Sequence, residues 1–232
     1  MRIGIGIGIG ISGNRLEGHL GGSPVMHVHT SPRGDPAEPG TIVIHYAAGL
    51  SGTPLASLGN ARRPIAAHLS IHRDGTVTQY LPFDRPAPCS ASCKQASAKT
   101  PHGHSIDIEI ENLVPPMKPF AAQLLIDAYR QPFSGHGDRD ELAWRSSGVG
   151  LPRTRWQGYT PWQSETCREL AALLVATYGI GEIRGHDELP TQGPPHAESA
   201  FPLAWLRAAV LPGSSSGRDP GRCSLRSAGR GR

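Results

Sequence analysis

No run of apolar residues in this chain approaches the ~20 needed to cross a bilayer as a helix, which excludes a membrane-spanning helix from the reading. Cysteine is scarce, with four scattered along 232 residues. That excludes a disulfide-stapled scaffold. Cys89 and Cys93 lie four apart in a Ser/Ala-rich loop, a spacing open to a small disulfide or a metal clip. Free thiols are the preferred reading, because nothing points to an oxidising compartment. The N-terminus, MRIGIGIGIGISG, has one Arg but no Leu/Ala-dense core and no small-x-small site. It is read as a strand-like or irregular extension rather than a secretory leader. The expected location is cytoplasmic, or outside the cell by release without a classical signal peptide. Net charge is also lacking over most of the chain. The formal +4 is accounted for by the tail, where Arg218, Arg222, Arg226, Arg230 and Arg232 face Asp219 alone.

Glycine (29) and proline (22) are abundant by contrast, and imply long loops and at least one disordered segment. The length suits one domain of about 150–200 residues plus extensions. The Gly/Ser/Arg-rich tail, 212–232, has too few apolar residues to fold. It is either a solubilising end or a binder of an anionic polymer.

Residues 1–40 are Gly/Pro-rich and stand apart as an N-terminal extension. TIVIHYA, from Thr41, reads as a strand with Val43 and His45 on one face and Ile42 and Ile44 on the other. Thr53-Pro54 opens a helix that stops before Pro64. The runs 68–72 and 76–81 read as strands joined through Arg73-Asp74-Gly75, a hairpin signal. Residues 84–104 read as loop, and Ser105 to Glu111 as a strand. Over 113–159 the sequence implies one short helix, Phe120 to Arg130, and a long irregular insertion. Thr160-Pro161-Trp162-Gln163 combines an N-cap, a first-position Pro and a capping-box Gln. The helix it opens places Trp162, Leu170, Leu173, Leu174 and Thr177 on one face, Cys167 near its edge, and ends at Gly179. A last helix covers Pro202 to Val210. The fold class is α/β, a mixed central β-sheet flanked by helices.

Three histidines carry the chemistry. His45 closes an apolar run, His186 follows Glu182-Ile183-Arg184-Gly185, and His196 lies ten residues on. Between them Ile106, Ile108 and Ile110 alternate with Asp107, Glu109 and Glu111, which puts the carboxylates on one face. Neutral imidazoles hold zinc, an open position admits water, and a carboxylate takes the proton. A solvated acidic face on an edge strand has the same pattern. The histidines tip the balance toward a site. Of the others, His68 reads as structural or groove-lining, and His72 as surface. His102, His104 and His136 read as solvated loop residues, and His27 and His29 as a His-x-His pattern ahead of the core.

Several stretches then fall in order: IVIHYAAG, AAHLSIHRDGTVTQYLPFDR, GHSIDIEIEN, GYTPWQSETCRELAALLVATYGI, RGHDEL and HAESAFPLAWLR. Together they resemble the zinc-dependent N-acetylmuramoyl-L-alanine amidases of type 2, a family that includes peptidoglycan recognition proteins. The resemblance spans about 41–210. It implies an amidase-like fold, a catalytic domain over 41–211 and a Zn2+ cofactor. It implies hydrolysis of the bond between N-acetylmuramic acid and L-alanine, in peptidoglycan or muropeptides, by a monomer. His45 and His186 match two of the family's ligands, and His196 stands where Asp or Cys usually stands. Glu109 matches the catalytic carboxylate. Tyr46, His68 and Thr191 become substrate-binding candidates.

Three departures qualify the resemblance. Asp107 replaces a typical Gly, and its charge is expected to raise the pKa of Glu109. Pro194 stands at the family's lysine, a group thought to stabilise the oxyanion. Ala87-Pro88-Cys89-Ser90-Ala91 lacks the groove-lining Trp and His. These departures keep a second reading open, a non-catalytic peptidoglycan-binding module of the same fold. A third, of another class, is a polymer-binding protein acting through its arginine tail.

Overall fold

A computed structural model describes residues 8–20, 22–28, 35–48, 67–87, 104–112, 142–146, 153–189 and 201–213. The strands are β1 (Gly8–Ser12), β2 (Arg15–Leu20), β3 (Ser23–Pro24), β4 (Met26–His27), β5 (Pro39–Ala48), β6 (Leu69–Ile71), β7 (Val77–Gln79), β8 (His104–Asn112), β9 (Leu142–Ser146), β10 (Arg153–Gln157) and β11 (Glu182–Gly185). Among the described residues the helices are α1 (Pro161–Tyr178) and α2 (Leu203–Val210). Among the described residues no helix is long and apolar enough to cross a membrane.

Six strands form the central sheet in the order β11-β5-β8-β6-β7-β4. Only β6 and β7 pair antiparallel in it; the other neighbours are parallel. The expected mixed sheet with helices is therefore what forms. Its two faces differ because the strands alternate. Ile42, Ile44, Ile106, Ile108 and Ile110 are buried in one core with Cys167, Leu170, Ala171 and Leu174 of α1. Burying each such side chain is worth about 1.5–3 kcal/mol, so this face fixes the sheet against the helix. The other face carries His45, Asp107, Glu109, Glu111 and Ser70.

Local signals built the elements where they were strong. Asp74 Oδ1 accepts from the Thr76 amide (2.9 Å) and hydroxyl (2.7 Å), and Gly75 takes φ +84° to close the β6–β7 hairpin. At α1, Thr160 Oγ1 accepts from the Gln163 amide and Gln163 Oε1 from the Thr160 amide, each at 3.1 Å. Gly179, at φ +66°, ends the helix. α2 lies where the sequence placed it.

Other expectations are corrected. The buried face of α1 is Gln163, Thr166, Cys167, Leu170, Ala171 and Leu174. Trp162 is 45% exposed and Thr177 is exposed. The helix is rolled because Gln163 is drawn inward: its Oε1 accepts from Arg73 (3.1 Å) and its Nε2 donates to the Glu111 carbonyl (2.7 Å). His72 is buried rather than on the surface, with Nε2 2.9 Å from Thr78 Oγ1. The region 113–159 holds an antiparallel hairpin of β9 and β10, with Trp144 opposite Arg155. The helices expected over 54–63 and 120–130, and Cys89 and Cys93, lie outside the described residues. Cys167 is a free, buried thiol whose pKa burial pushes up.

Residues 1–40, set apart as an extension, contribute structure in their described part. β1, β2 and β3 form a small antiparallel sheet, and β4 joins the central sheet beside β7. Gly13 and Asn14, both at positive φ, make the two-residue β1–β2 turn. Leu16 and Leu20 enter the core. Asn14 accepts from the Phe83 amide through its carbonyl (2.8 Å) and from the Tyr178 hydroxyl through Oδ1 (2.9 Å). Gly18 packs so closely on β1 that a Cβ would lie 1.5 Å from the Gly8 carbonyl oxygen.

Gln163 is thus the polar joint between α1 and the sheet. Gln163→Ala is expected to cost about 2–4 kcal/mol of unfolding free energy, since it breaks a buried hydrogen-bond network at several points. Urea titration measures the loss. A change under about 0.5 kcal/mol would show that the joint is not a stability element.

Candidate active site

Three parallel strands end side by side. In β5 and β8, His45 lies directly opposite Glu109. In β11 and β5, Gly185 lies opposite Ile44, so the next residues, His186 and His45, emerge together. Their imidazole centroids are 4.9 Å apart, with the rings tilted at 36°. Two histidines and a carboxylate distant in sequence thereby meet at the carboxyl ends of the strands, where ligands bind in open α/β sheets.

His186 begins a 3₁₀ turn, His186–Glu188. Gly185 lets the Asp187 and Leu203 side chains close over the start of the turn. A Cβ on it would lie 2.3 Å from Asp187 Oδ1 and 2.7 Å from Leu203 Cδ1. Glu188 Oε2 accepts from the Gly185 amide (3.0 Å) and pairs with Arg207 of α2, whose Nε donates to the Ile183 carbonyl (2.7 Å). Burial acts to raise the Glu188 carboxyl. Arg207 and the Gly185 amide outweigh it and hold the pKa below its usual value. The turn carrying His186 is therefore tied to both β11 and α2.

The carboxylates of β8 have different surroundings. Asp107 Oδ1 lies 2.9 Å from His45 Nε2, and Oδ2 accepts from the Ser105 hydroxyl at 3.1 Å. Glu111 Oε2 accepts from the Arg73 amide (3.1 Å) and lies 3.4 Å from His72 Nδ1. Glu109, between them, is half-buried, and its shielded Oε2 has no hydrogen-bond partner among the described residues. Burial pushes its pKa up. His45 opposes that, and Asp107 adds to it as its charge led us to expect. The His45 pKa is also raised. Burial acts to lower it, but the hydrogen bond to Asp107 and the charges of Asp107 and Glu109 prevail.

The remaining candidates fall as follows. His68 is fully buried, with Nδ1 accepting from the Asp107 amide (3.0 Å) and Nε2 donating to the Arg85 carbonyl (2.7 Å). Both ring nitrogens are spent on backbone, so His68 pins β8 and leaves none for substrate. Tyr46 follows His45 on β5 opposite Ile110; only its backbone is described. His196, Thr191 and Pro194 lie outside the described residues. Among the described residues no cluster of three or more His, Cys, Asp or Glu could hold a metal. Arg184 pairs with Glu182, its Nε 2.7 Å from Oε1.

Sequence reasoning missed two neighbours of the site. Ser70 lies opposite Glu109 in the β6–β8 register, and its hydroxyl is 2.9 Å from that of Tyr80. Burial raises the Tyr80 pKa, and Glu109 adds to it. The signal was present: His68, Ser70 and His72 alternate with Leu69 and Ile71, the same polar stripe as β8.

A raised carboxyl pKa has a sign in folding. Below the unfolded pKa both states are protonated, and the group is neutral to stability. As pH rises through the unfolded pKa towards the higher folded one, the folded state holds its proton longer and loses stability relative to the unfolded chain. Glu109→Gln in metal-free protein is therefore expected to stabilise at pH 7 and to lose that gain as pH falls into the carboxylate range. Denaturant midpoints across that range measure it. A variant that is less stable at pH 7 contradicts the raised pKa.

The family model of N-acetylmuramoyl-L-alanine amidases matches residues 35–197, well over half of the chain. Among solved structures, the chain is similar to N-acetylmuramoyl-L-alanine amidase LysC from Clostridium intestinale URNW (15% identity, 79% of this chain and 95% of that one, TM-score 0.48). It is also similar to Citrobacter freundii AmpD (20% identity, 83% and 95%, TM-score 0.43) and to the PlyG catalytic domain (13% identity, 84% and 99%, TM-score 0.49). No curated protein matches it. With the family model covering five of the six strands of the central sheet, the histidine pair and Glu109, the chain belongs to the N-acetylmuramoyl-L-alanine amidase family and is an amidase of that class.

Proposed function

We propose that this amidase is zinc-dependent and cuts the amide between the lactyl group of N-acetylmuramic acid and L-alanine, in peptidoglycan or in muropeptides released from it. The observation that carries the reading is the unpartnered, shielded Oε2 of Glu109 beside the paired rings of His45 and His186. A buried carboxylate oxygen left without a partner costs stability. Such a cost is tolerated where the oxygen has a proton to take.

The donor set fits zinc. Neutral imidazoles are good ligands, and three of them leave a position open. His45 and His186 would hold the ion with His196 as the third ligand. When bound, zinc supplies Lewis acidity to an amide carbonyl and lowers the pKa of water towards neutrality. Glu109 takes the proton of the attacking water and returns it to the departing L-alanine amine. Water thus adds to the carbonyl carbon as the C–N bond breaks. A carboxyl raised towards neutral pH suits both transfers, since a base that takes a proton too weakly, or holds it too well, is slow in one of them. Tyr46 and Thr191 are the substrate-binding candidates that this reading keeps.

The test joins metal content to turnover. The protein should hold about one zinc per chain, and His45→Ala or His186→Ala should abolish it. Glu109→Gln should leave zinc in place and lower the release of new L-alanine amino termini from sacculi by about 10²-fold or more. Stoichiometric zinc surviving both histidine substitutions sinks the metal site. Loss of turnover in Glu111→Gln but not in Glu109→Gln sinks the assignment of the base.

Pro194 supports a further expectation. An oxyanion donor is worth about 3–4 kcal/mol, or ~10²–10³ in rate. The protein should turn over a muropeptide more slowly than a lysine-bearing relative of equal zinc affinity, and Pro194→Lys should recover part of the deficit. A wild type as fast as the relative shows that another group fills the lysine's place. No turnover in either, with sacculi still bound, favours the non-catalytic binding module.

A further inference from the structure

Resting on the zinc reading above, we propose that Asp107 is a positioning residue: its carboxylate holds the His45 imidazole by Nε2 and so reserves Nδ1 for the metal. Asp107 Oδ1 is 2.9 Å from His45 Nε2. A carboxylate only accepts, so Nε2 carries the proton and the lone pair of the neutral ring sits on Nδ1. Among the described residues Nδ1 has no hydrogen-bond partner, while both side chains are nearly closed to solvent, Asp107 at 2% and His45 at 10% exposed.

The carboxylate is itself anchored, which makes it a support rather than a passing contact. The Ser105 hydroxyl donates to Oδ2 at 3.1 Å. The Asp107 amide donates to His68 Nδ1 (3.0 Å), and the Asp107 carbonyl accepts from the His68 amide (2.9 Å). A clamped backbone, a clamped carboxylate and a clamped imidazole follow in series. Carboxylates in this position orient a metal-bound histidine, fix its tautomer and raise its basicity, and their loss typically costs about 10–100-fold in affinity.

The experiment measures zinc affinity by chelator competition and the visible absorption of the cobalt(II)-substituted protein, with folding checked by circular dichroism. Asp107→Ala should bind zinc about 10–100-fold more weakly than wild type and shift the cobalt bands. Asp107→Asn keeps an acceptor oxygen but not the charge. It should recover part of the affinity and move the bands back towards wild type, a graded response that a merely structural defect would not give. Unchanged affinity and spectrum in a folded Asp107→Ala overturns the proposal. Complete loss of zinc from that variant also overturns it, by making Asp107 a ligand. If neither variant folds, Ser105→Ala, which frees Oδ2, replaces them: weaker zinc binding supports the proposal and unchanged binding overturns it. A wild type that takes up no zinc fails at the earlier step, and brings down the zinc reading with this one.

Discussion

The parallel pairing of β5 with β8 on one side and β11 on the other is the constraint from which the site follows. It sets His45 opposite Glu109 and brings His186 out beside His45. Parallel pairing needs crossover connections, so the three residues are far apart in sequence and meet only when the sheet is complete. The isoleucines on the reverse of β5 and β8 hold this arrangement through their burial under α1. The apolar face thus gives the strands their position, and the polar face is placed by it.

A polar sheet face closed to solvent is costly unless its groups find partners. Three carboxylates stand on β8, two residues apart. Asp107 is bonded to Ser105 and His45, and Glu111 to the Arg73 amide. Glu109, the one between, keeps an oxygen without a partner. Had all three lacked partners, a strained or solvated strand would explain them as well as a site would. That the neighbours are satisfied and Glu109 is not is what singles it out for the proton transfer proposed above.

Features set by a few adjacent residues were legible in the sequence. The Asp74-Gly75 hairpin, the Thr160–Gln163 capping box, the Gly179 stop and the alternation of β8 each depend on local hydrogen bonds or on side-chain period. The meeting of His45, Glu109 and His186 at one place was legible too, through ordered motifs and not through any one of them. What escaped depends on partners distant in sequence. The roll of α1 turns on Arg73 and Glu111, which draw Gln163 inward at the expense of Trp162. The burial of His72 depends on Thr78 and Glu111. The β1–β2 hairpin was obscured because glycines occupy positions where alternation would otherwise show, although Gly13-Asn14 carried a turn signal. The sequence shows Asp107 as a charge near Glu109. Its contact with His45 needed the β5–β8 register.

That register raises a further point, because β8 is nearly periodic. A slip of one residue would turn its carboxylates into the core and is forbidden by burial alone. A slip of two would keep every isoleucine inside and every carboxylate outside. It would set Asp107 or Glu111 opposite His45 in place of Glu109, and hydrophobic burial would barely resist it. What resists it is polar and particular to position. His45 Nε2 bonds the Asp107 carboxylate, where a slip one way would put Ser105, and the Arg73 amide bonds the Glu111 carboxylate, where a slip the other way would put Leu113. These contacts, from β5 and the β6–β7 hairpin, bracket Glu109 on both sides. The apolar face thus selects the parity of the register and the polar contacts select the residue. The buried polar network around Glu109 is in this sense the element that decides which of three similar carboxylates stands opposite His45.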